Sequence, residues 1–242
     1  MSEWPRLRVI RSGPGRPAWN MAVDEALLEC FSPGEDPILR LYRWEPGGLS
    51  LGRFQPAGEV ELPPGWELVR RPSGGAAIRH RPDEVTYALV GDYARFGKPR
   101  AAYAQVHGLI AAALGRLGVR LAPRGRSEDA ATVHGLCYAK ATGYDLVVGA
   151  EKLVGSAQCR RGERFLQHGS IPLRADAAVE GAAGLREVLG REVSPDEVEE
   201  ALIQEISAVA DVVHDALRDV ERSAAERLLA EKHEATSWIR SR

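Results

Sequence analysis

The chain has 242 residues, 44% of them hydrophobic, and a formal net charge of −2. That is enough apolar material for one α/β domain with a small appendage, and it leaves no basic excess to hold nucleic acid. No apolar run is long enough to cross a bilayer, and the opening MSEWPRLRVIRSG lacks the apolar core of a secretory signal, so a cytoplasmic protein with no membrane partner is expected.

In chain order, residues 18–30 read as a helix with a mixed face. ILRLYRW (38–44) alternates as a strand does, and Pro46, Gly47 and Gly48 follow it as a turn. Strands are expected at 49–54, 66–71, 76–80 and 84–90. The stripe Tyr103, Val106, Leu109, Ile110, Ala113, Leu114 and Leu117 predicts a helix over 101–117. A short strand is expected at 119–121, two more at 144–149 and 151–158 around a turn at Gly149, and another at 164–173. From about 176 the pattern turns helical. Ser194-Pro195-Asp196-Glu197 reads as a capping box opening a helix whose stripe runs through Val198, Leu202, Ile206, Val209 and Val213, with a last helix near 220–233. Strands in hairpin-like groups predict an α+β fold with a mixed, largely antiparallel sheet flanked by helices. The expected division is a catalytic domain over 1–175 and a helical C-terminal segment over 176–242 packed on the same domain.

Three cysteines, Cys30, Cys137 and Cys159, with no C-x-x-C pair, argue against a disulfide framework and against zinc, so no metal is expected. Four stretches carry candidate chemistry. Arg70-Arg71-Pro72-Ser73-Gly74-Gly75-Ala76-Ala77, ending at His80, offers glycines whose amides can approach a ligand closely, with forked arginine donors beside them. It is not a Walker loop, because no G-K-[ST] follows. Lys152-Leu153-Val154-Gly155-Ser156-Ala157-Gln158 places a lysine in a strand of small residues, suited to an extended ligand and to stabilising a developing oxyanion. Gln167-His168-Gly169-Ser170 is unusually polar for a strand interior, and His168 reads either as a base or as a hydrogen-bonded core residue. Cys137 lies in a loop-like, glycine-flanked segment, with His134 and Lys140 near it in sequence to favour a thiolate.

Taken together, Asn20-Met21-Ala22-Val23-Asp24-Glu25, Leu49-Ser50-Leu51-Gly52-Arg53-Phe54-Gln55, Arg70 to Gly75, Lys152 to Gln158 and Gln167 to Ile171 resemble, in order, the lipoate–protein ligase and octanoyltransferase family, relatives of biotin–protein ligase. The likeness spans about residues 8–173, and the ending from Glu231 to Trp238 is similar to the close of the cysteine-dependent octanoyltransferases. Cys137 precedes Asp145-Leu146-Val147-Val148 at the spacing of that branch's catalytic cysteine. Ala76 and Arg81 stand where typical ligases carry a glycine and an aspartate, which points the same way.

The resemblance implies an acyltransferase of lipoate assembly. It would move octanoyl, or lipoyl, from octanoyl-acyl carrier protein through a Cys137 thioester to a lysine of a lipoyl-domain or glycine-cleavage H-type protein. Lys152 would stabilise the carbonyl oxygen. Arg71, Ser73, Gly74, Gly75, Ala76, His80, Gly155, Ser156, Ala157, His168 and Gly169 would line the substrate site, and no cofactor is required. The alternative is an ATP- and Mg²⁺-dependent ligase acting through an acyl-adenylate with Lys152. A biotin ligase is disfavoured by the sequence of the glycine loop. An inactive acyl-binding subunit is disfavoured by Cys137, Lys152 and His168 occurring together.

Overall fold

Period-two alternation organises the protein around one wide sheet. The computed structural model describes residues 4–59, 61–123 and 145–241. Its elements run β1 (Trp4–Gly15), α1 (Pro17–Cys30), β2 (Ile38–Trp44), β3 (Gly48–Leu51), β4 (Glu67–Arg70), β5 (Ile78–His80), β6 (Glu84–Asp92), α2 (Tyr93–Phe96), α3 (Pro99–Arg116), β7 (Ala122–Pro123), β8 (Leu146–Val148), β9 (Glu151–Arg161) and β10 (Arg164–Pro172). They continue with α4 (Leu185–Leu189), α5 (Pro195–Ser207), β11 (Ala210–Asp215), α6 (Asp219–Leu228), a π-helical turn (Leu229–His233) and α7 (Thr236–Ile239).

Eight strands pair in the order β11-β1-β2-β6-β10-β9-β8-β7, and β4-β3-β5 form a second, small sheet. Within the large sheet β1 is parallel to both β11 and β2, while the pairs from β2 onward are antiparallel. The expected mixed, largely antiparallel sheet flanked by helices is what forms.

Each central strand is buried on both faces and sorts its side chains by parity. Leu39, Leu41, Val85, Tyr87, Leu89, Phe165 and Ile171 face a core shared with α3 and α5. Ile38, Tyr42, Trp44, Ala88, Val90 and Leu166 face the opposite way, into a core shared with α1 and α6. The candidate site lies on this second face.

Three local readings change. Residues 4–15, rich in arginine and ending Gly-Pro-Gly, form a strand that the sequence reading did not anticipate; its partners are β2 and the distant β11. The helix starting at Ser194 has the expected capping box, with Ser194 Oγ accepting from the Glu197 N–H at 3.2 Å, but it ends at Ser207. Val209 and Val213, read as its continuation, flank and enter β11. The short strand expected at 119–121 falls instead at Ala122–Pro123.

Candidate active site

α1 brings polar side chains into an otherwise apolar interior, and β2 answers them. Asn20 and Asp24, one helical turn apart, share a face. The guanidinium of Arg40, fully buried, donates to Asp24 Oδ1 at 2.7 Å, Asn20 Oδ1 at 2.8 Å and the Asn20 carbonyl at 3.1 Å. Tyr42 O–H donates to Asp24 Oδ2 at 2.9 Å. His168, on β10, meets the same carboxylate oxygen through Nδ1 at 3.0 Å and Ser73 Oγ through Nε2 at 2.6 Å. Burial alone would raise Asp24, but the His168 hydrogen bond and the Arg40 charge outweigh it and hold the carboxyl below its usual range. A carboxylate facing Nδ1 requires the proton there, so Nε2 accepts from the Ser73 hydroxyl. The connectivity is that of a serine–histidine–aspartate triad. Because Ser73 is fully buried, however, it acts to pin the glycine loop and not as a nucleophile.

A second chain of the same kind runs beside it. His80 Nδ1 lies 2.7 Å from Glu84 Oε1, and Nε2 lies 2.8 Å from Ser50 Oγ. The imidazole stacks on Trp44 at 3.9 Å between centroids, and Trp44 Nε1 donates to Thr86 Oγ1, whose hydroxyl donates to Glu84. Burial pushes His80 below the usual histidine range against the opposing pull of Glu84.

Arg71 ties the two chains to the glycine loop. Its guanidinium donates to the Ser50 carbonyl and to the carbonyls of Gly74 and Ala76, each at 2.8 Å. Glycine is required on both sides of that loop. Gly75 has φ +96°, and a methyl on Gly52 would overlap the Gly75 carbonyl oxygen.

Between α1, the small sheet and the large sheet lies a narrow pocket bordered by Met21, Tyr42, Trp44, Ile78, Ala157 and Gly169, with Ser50, Arg71, His80, Thr86, His168 and Ser170 as its polar members. A wider, open cleft adjoins it. Among the described residues this cleft is lined by Gly74, Gly75, Ile78, Pro99, Arg100, Tyr103, Asp145, Ser156, Ala157 and Gln158. Lys152 sits next to the cleft. Its Nζ is 3.0 Å from Asp145 Oδ1, with both side chains 1% exposed. Gly155 leaves the notch in which it lies, since a Cβ there would come within 2.8 Å of Nζ.

The residue range 16–207 matches the family model of the lipoyl protein ligase A/B catalytic domain. The chain belongs to that family. It is 36% identical to the octanoyltransferase LipM of Kyrpidia tusciae, covering 98% of both chains, and 34% identical to that of Moorella thermoacetica, covering 97% of this chain and 98% of the relative. Among solved structures it resembles a lipoate-protein ligase A bound with ATP (27% identity, TM-score 0.84, 98% of each chain). It also resembles a T. acidophilum protein with bound lipoic acid (26% identity, TM-score 0.83, 98% of this chain and 99% of that one).

Within this family member, Ser73 and His168 are joined, Gly74, Gly75, Ser156 and Ala157 share the cleft, and Arg71, His80, Ala157, His168 and Gly169 share the pocket. Ala76 meets Arg71 through its carbonyl, and Gly155 packs on Lys152. Cys137 lies outside the described residues. Burial raises the thiols of both described cysteines, that of Cys159 to about 12, which suits packing and not nucleophilic attack. The sequence reading assigned no role to Asp24, Arg40, Trp44, Ser50, Glu84 or Asp145. The available signals were Asp24 and Glu25 falling inside an apolar helix, and Asp24, Ser50 and Asp145 falling within the motif stretches. Among the described residues no group of histidine, cysteine and acidic side chains is arranged to hold a metal, and no helix is long and apolar enough to cross a membrane.

Proposed function

We propose that this chain transfers an octanoyl group from octanoyl-acyl carrier protein to a lysine of a lipoyl-domain or H-type protein, through a thioester on Cys137. The observation that carries the reading is end-to-end identity above 30% with octanoyltransferases, combined with a site that joins an apolar pocket to a buried lysine. The octanoyl tail occupies the pocket beside Trp44 and Met21, where each buried methylene contributes about 0.8 kcal/mol. The carbonyl lies toward the cleft near Gly74, Gly75 and Lys152. Cys137 attacks the donor thioester, the carrier thiol leaves, and the acceptor lysine then attacks the enzyme thioester. Lys152, held by Asp145, stabilises the oxyanion in both steps; removing one such donor typically costs about 10²–10³ in rate. A covalent intermediate lets two protein substrates use one site in turn. This route needs neither ATP nor metal.

A second reading, an ATP-dependent ligase acting through an acyl-adenylate, draws support from the likeness to a ligase bound with ATP. Intact-protein mass spectrometry after incubation with octanoyl-acyl carrier protein, without ATP, separates the two. The transferase gains one octanoyl group, loses that gain in Cys137→Ala and gains it roughly 10²-fold more slowly in Lys152→Ala. Absence of an adduct, with pyrophosphate released from octanoate and ATP, assigns the ligase instead.

A further inference from the structure

His107 is buried on α3, at 5% exposure, and takes no part in the chemistry described so far. Its Nε2 lies 2.8 Å from Ser156 Oγ, which is also 2.6 Å from the hydroxyl of Tyr87. The described pairing of β8 with β9 stops at Val154, so beyond it both Ser156 and Ala157 border the open cleft, with Gly74, Gly75 and Asp145 across from them. Ser156 is thus the point at which a network inside the α3 face reaches the substrate cleft.

The network has a direction. The Gln167 carboxamide turns its N–H groups toward the Tyr103 carbonyl and the Tyr87 hydroxyl, each at 3.5 Å, and its oxygen accepts from Gln158 at 3.2 Å. With Gln167 donating to the Tyr87 oxygen, the Tyr87 proton goes to Ser156 and the Ser156 proton goes to His107 Nε2. Running the chain backwards would leave the buried tyrosine hydroxyl without an acceptor, at a cost of about 1–3 kcal/mol. The chain therefore ends on an unprotonated imidazole nitrogen, with the ring steadied by Tyr103 at 4.6 Å between centroids.

We infer that Ser156 and His107 form the proton-accepting relay for the amine of the acceptor lysine. The inference rests on the acyl-transfer reading above and adds to it the group that removes the proton. A free lysine, of ordinary pKa near 10.4, is almost wholly ammonium at neutral pH, and its adduct with a carbonyl carbon must lose a further proton to become an amide. The relay takes the first of these: the ammonium gives a proton to Ser156 Oγ while the Ser156 proton passes to His107 Nε2, which later releases it to solvent. The freed nitrogen lone pair forms the C–N bond and the carbonyl pair moves to oxygen. Collapse of the adduct breaks the C–S bond, and the departing thiolate takes the second proton from the adduct nitrogen. Among the described residues, the groups facing this relay include Tyr87 of β6, Tyr103 of α3, the Asp145–Lys152 pair beside β8 and β9, and Arg100 at the cleft rim.

The test uses the full chain with His107→Gln, which still accepts from Ser156 but cannot hold the proton. Ser156→Ala serves as the second variant should the first fail to fold. Three rates are read: acyl loading from octanoyl-acyl carrier protein, amide formation on a lipoyl domain as a function of pH, and octanoyl transfer to hydroxylamine, a nucleophile already uncharged at neutral pH. His107→Gln is expected to load normally, to slow roughly 10²-fold in amide formation with a changed pH profile, and to keep the wild-type rate toward hydroxylamine; Ser156→Ala, whose residue also lines the cleft, is read by the ratio of amide formation to hydroxylamine transfer, which is expected to fall roughly 10²-fold. A wild-type rate and pH profile for amide formation, or equal losses toward both nucleophiles, overturns the relay. If wild type itself fails to load, the thioester reading falls. The same comparison is then run from octanoate and ATP, because deprotonation of the amine is common to both routes.

Discussion

Glu25 follows Asp24 in α1 and points the other way, to the C-terminal tail. Its two oxygens accept from Lys232 Nζ at 2.7 and 2.8 Å, from His233 Nε2 at 2.9 Å and from Arg161. Burial works to raise this carboxyl, but hydrogen bonds from His233 and Lys232 and their charges outweigh it and bring it from 4.5 to about 2. A depressed pKa means that the unfolded chain binds the extra proton, so the stability it represents is complete above pH 4.5 and is lost as pH falls toward 2. At about 1.4 kcal/mol per unit the contribution is about 3 kcal/mol. Glu25→Gln leaves the surrounding cations without their counter-charge and is expected to cost about 3–5 kcal/mol at neutral pH. It should also remove Glu25's own share, about 3 kcal/mol, of the stability that wild type loses on acidification, leaving the share of Asp24 and the other depressed carboxyls. Urea unfolding at pH 7, 4.5 and 3 measures both effects, and parallel losses in the two proteins would show that Glu25 is not the titrating group.

At the scale of elements, that tail is a clamp on the glycine loop. Arg70 donates to the Trp238 carbonyl at 3.1 Å, the Ile239 carbonyl at 2.8 Å and the Gly52 and Gln55 carbonyls at 2.6 and 2.7 Å, while Trp238 Nε1 returns a bond to the Arg70 carbonyl at 3.0 Å. Lys232 lies 3.9 Å from the centre of the Trp238 ring. Trp238→Ala deletes one hydrogen bond and one cation–π contact, a loss of about 2 kcal/mol. For a chain of this size that is roughly 4–8 °C in Tm by calorimetry; an unchanged Tm would mean that the tail merely rests on the loop. Elements with strong local signals were legible in the sequence. β2 is found at the expected 38–44, α1 begins one residue earlier than read, and the box at Ser194 opens α5. β1 and β11 were not legible, because a parallel pair joining residues near 4–10 to 210–215 has no local signature. There the non-local ladder breaks a helical stripe that the side chains alone would have continued.

Across the whole molecule, the site exists because strand order differs from chain order. β2, β6 and β10 lie side by side, so alternate residues Arg40, Tyr42 and Trp44, then Thr86, then His168 and Ser170, converge beneath α1. The motif glycines, Lys152 and His168 were recognisable along the chain, whereas Arg40, Trp44 and Ser50 gain meaning only from neighbours far off in sequence. The same convergence shapes the pocket in which the acyl tail is proposed to lie, with Met21 of α1 and Trp44 of β2 on its wall. Met21→Ala removes three heavy atoms from that wall. Room for two further methylenes at about 0.8 kcal/mol each would raise kcat/KM for decanoyl relative to octanoyl donors by up to about 15-fold. The substitution also costs about 2–5 kcal/mol of stability, so the informative quantity is the ratio of the two donors at a temperature where the variant remains folded. A raised ratio places the tail against α1. An unchanged ratio, with the folded state intact, moves the tail out of this pocket and into the open cleft beside Tyr103, where a side chain of α1 has no influence on chain length.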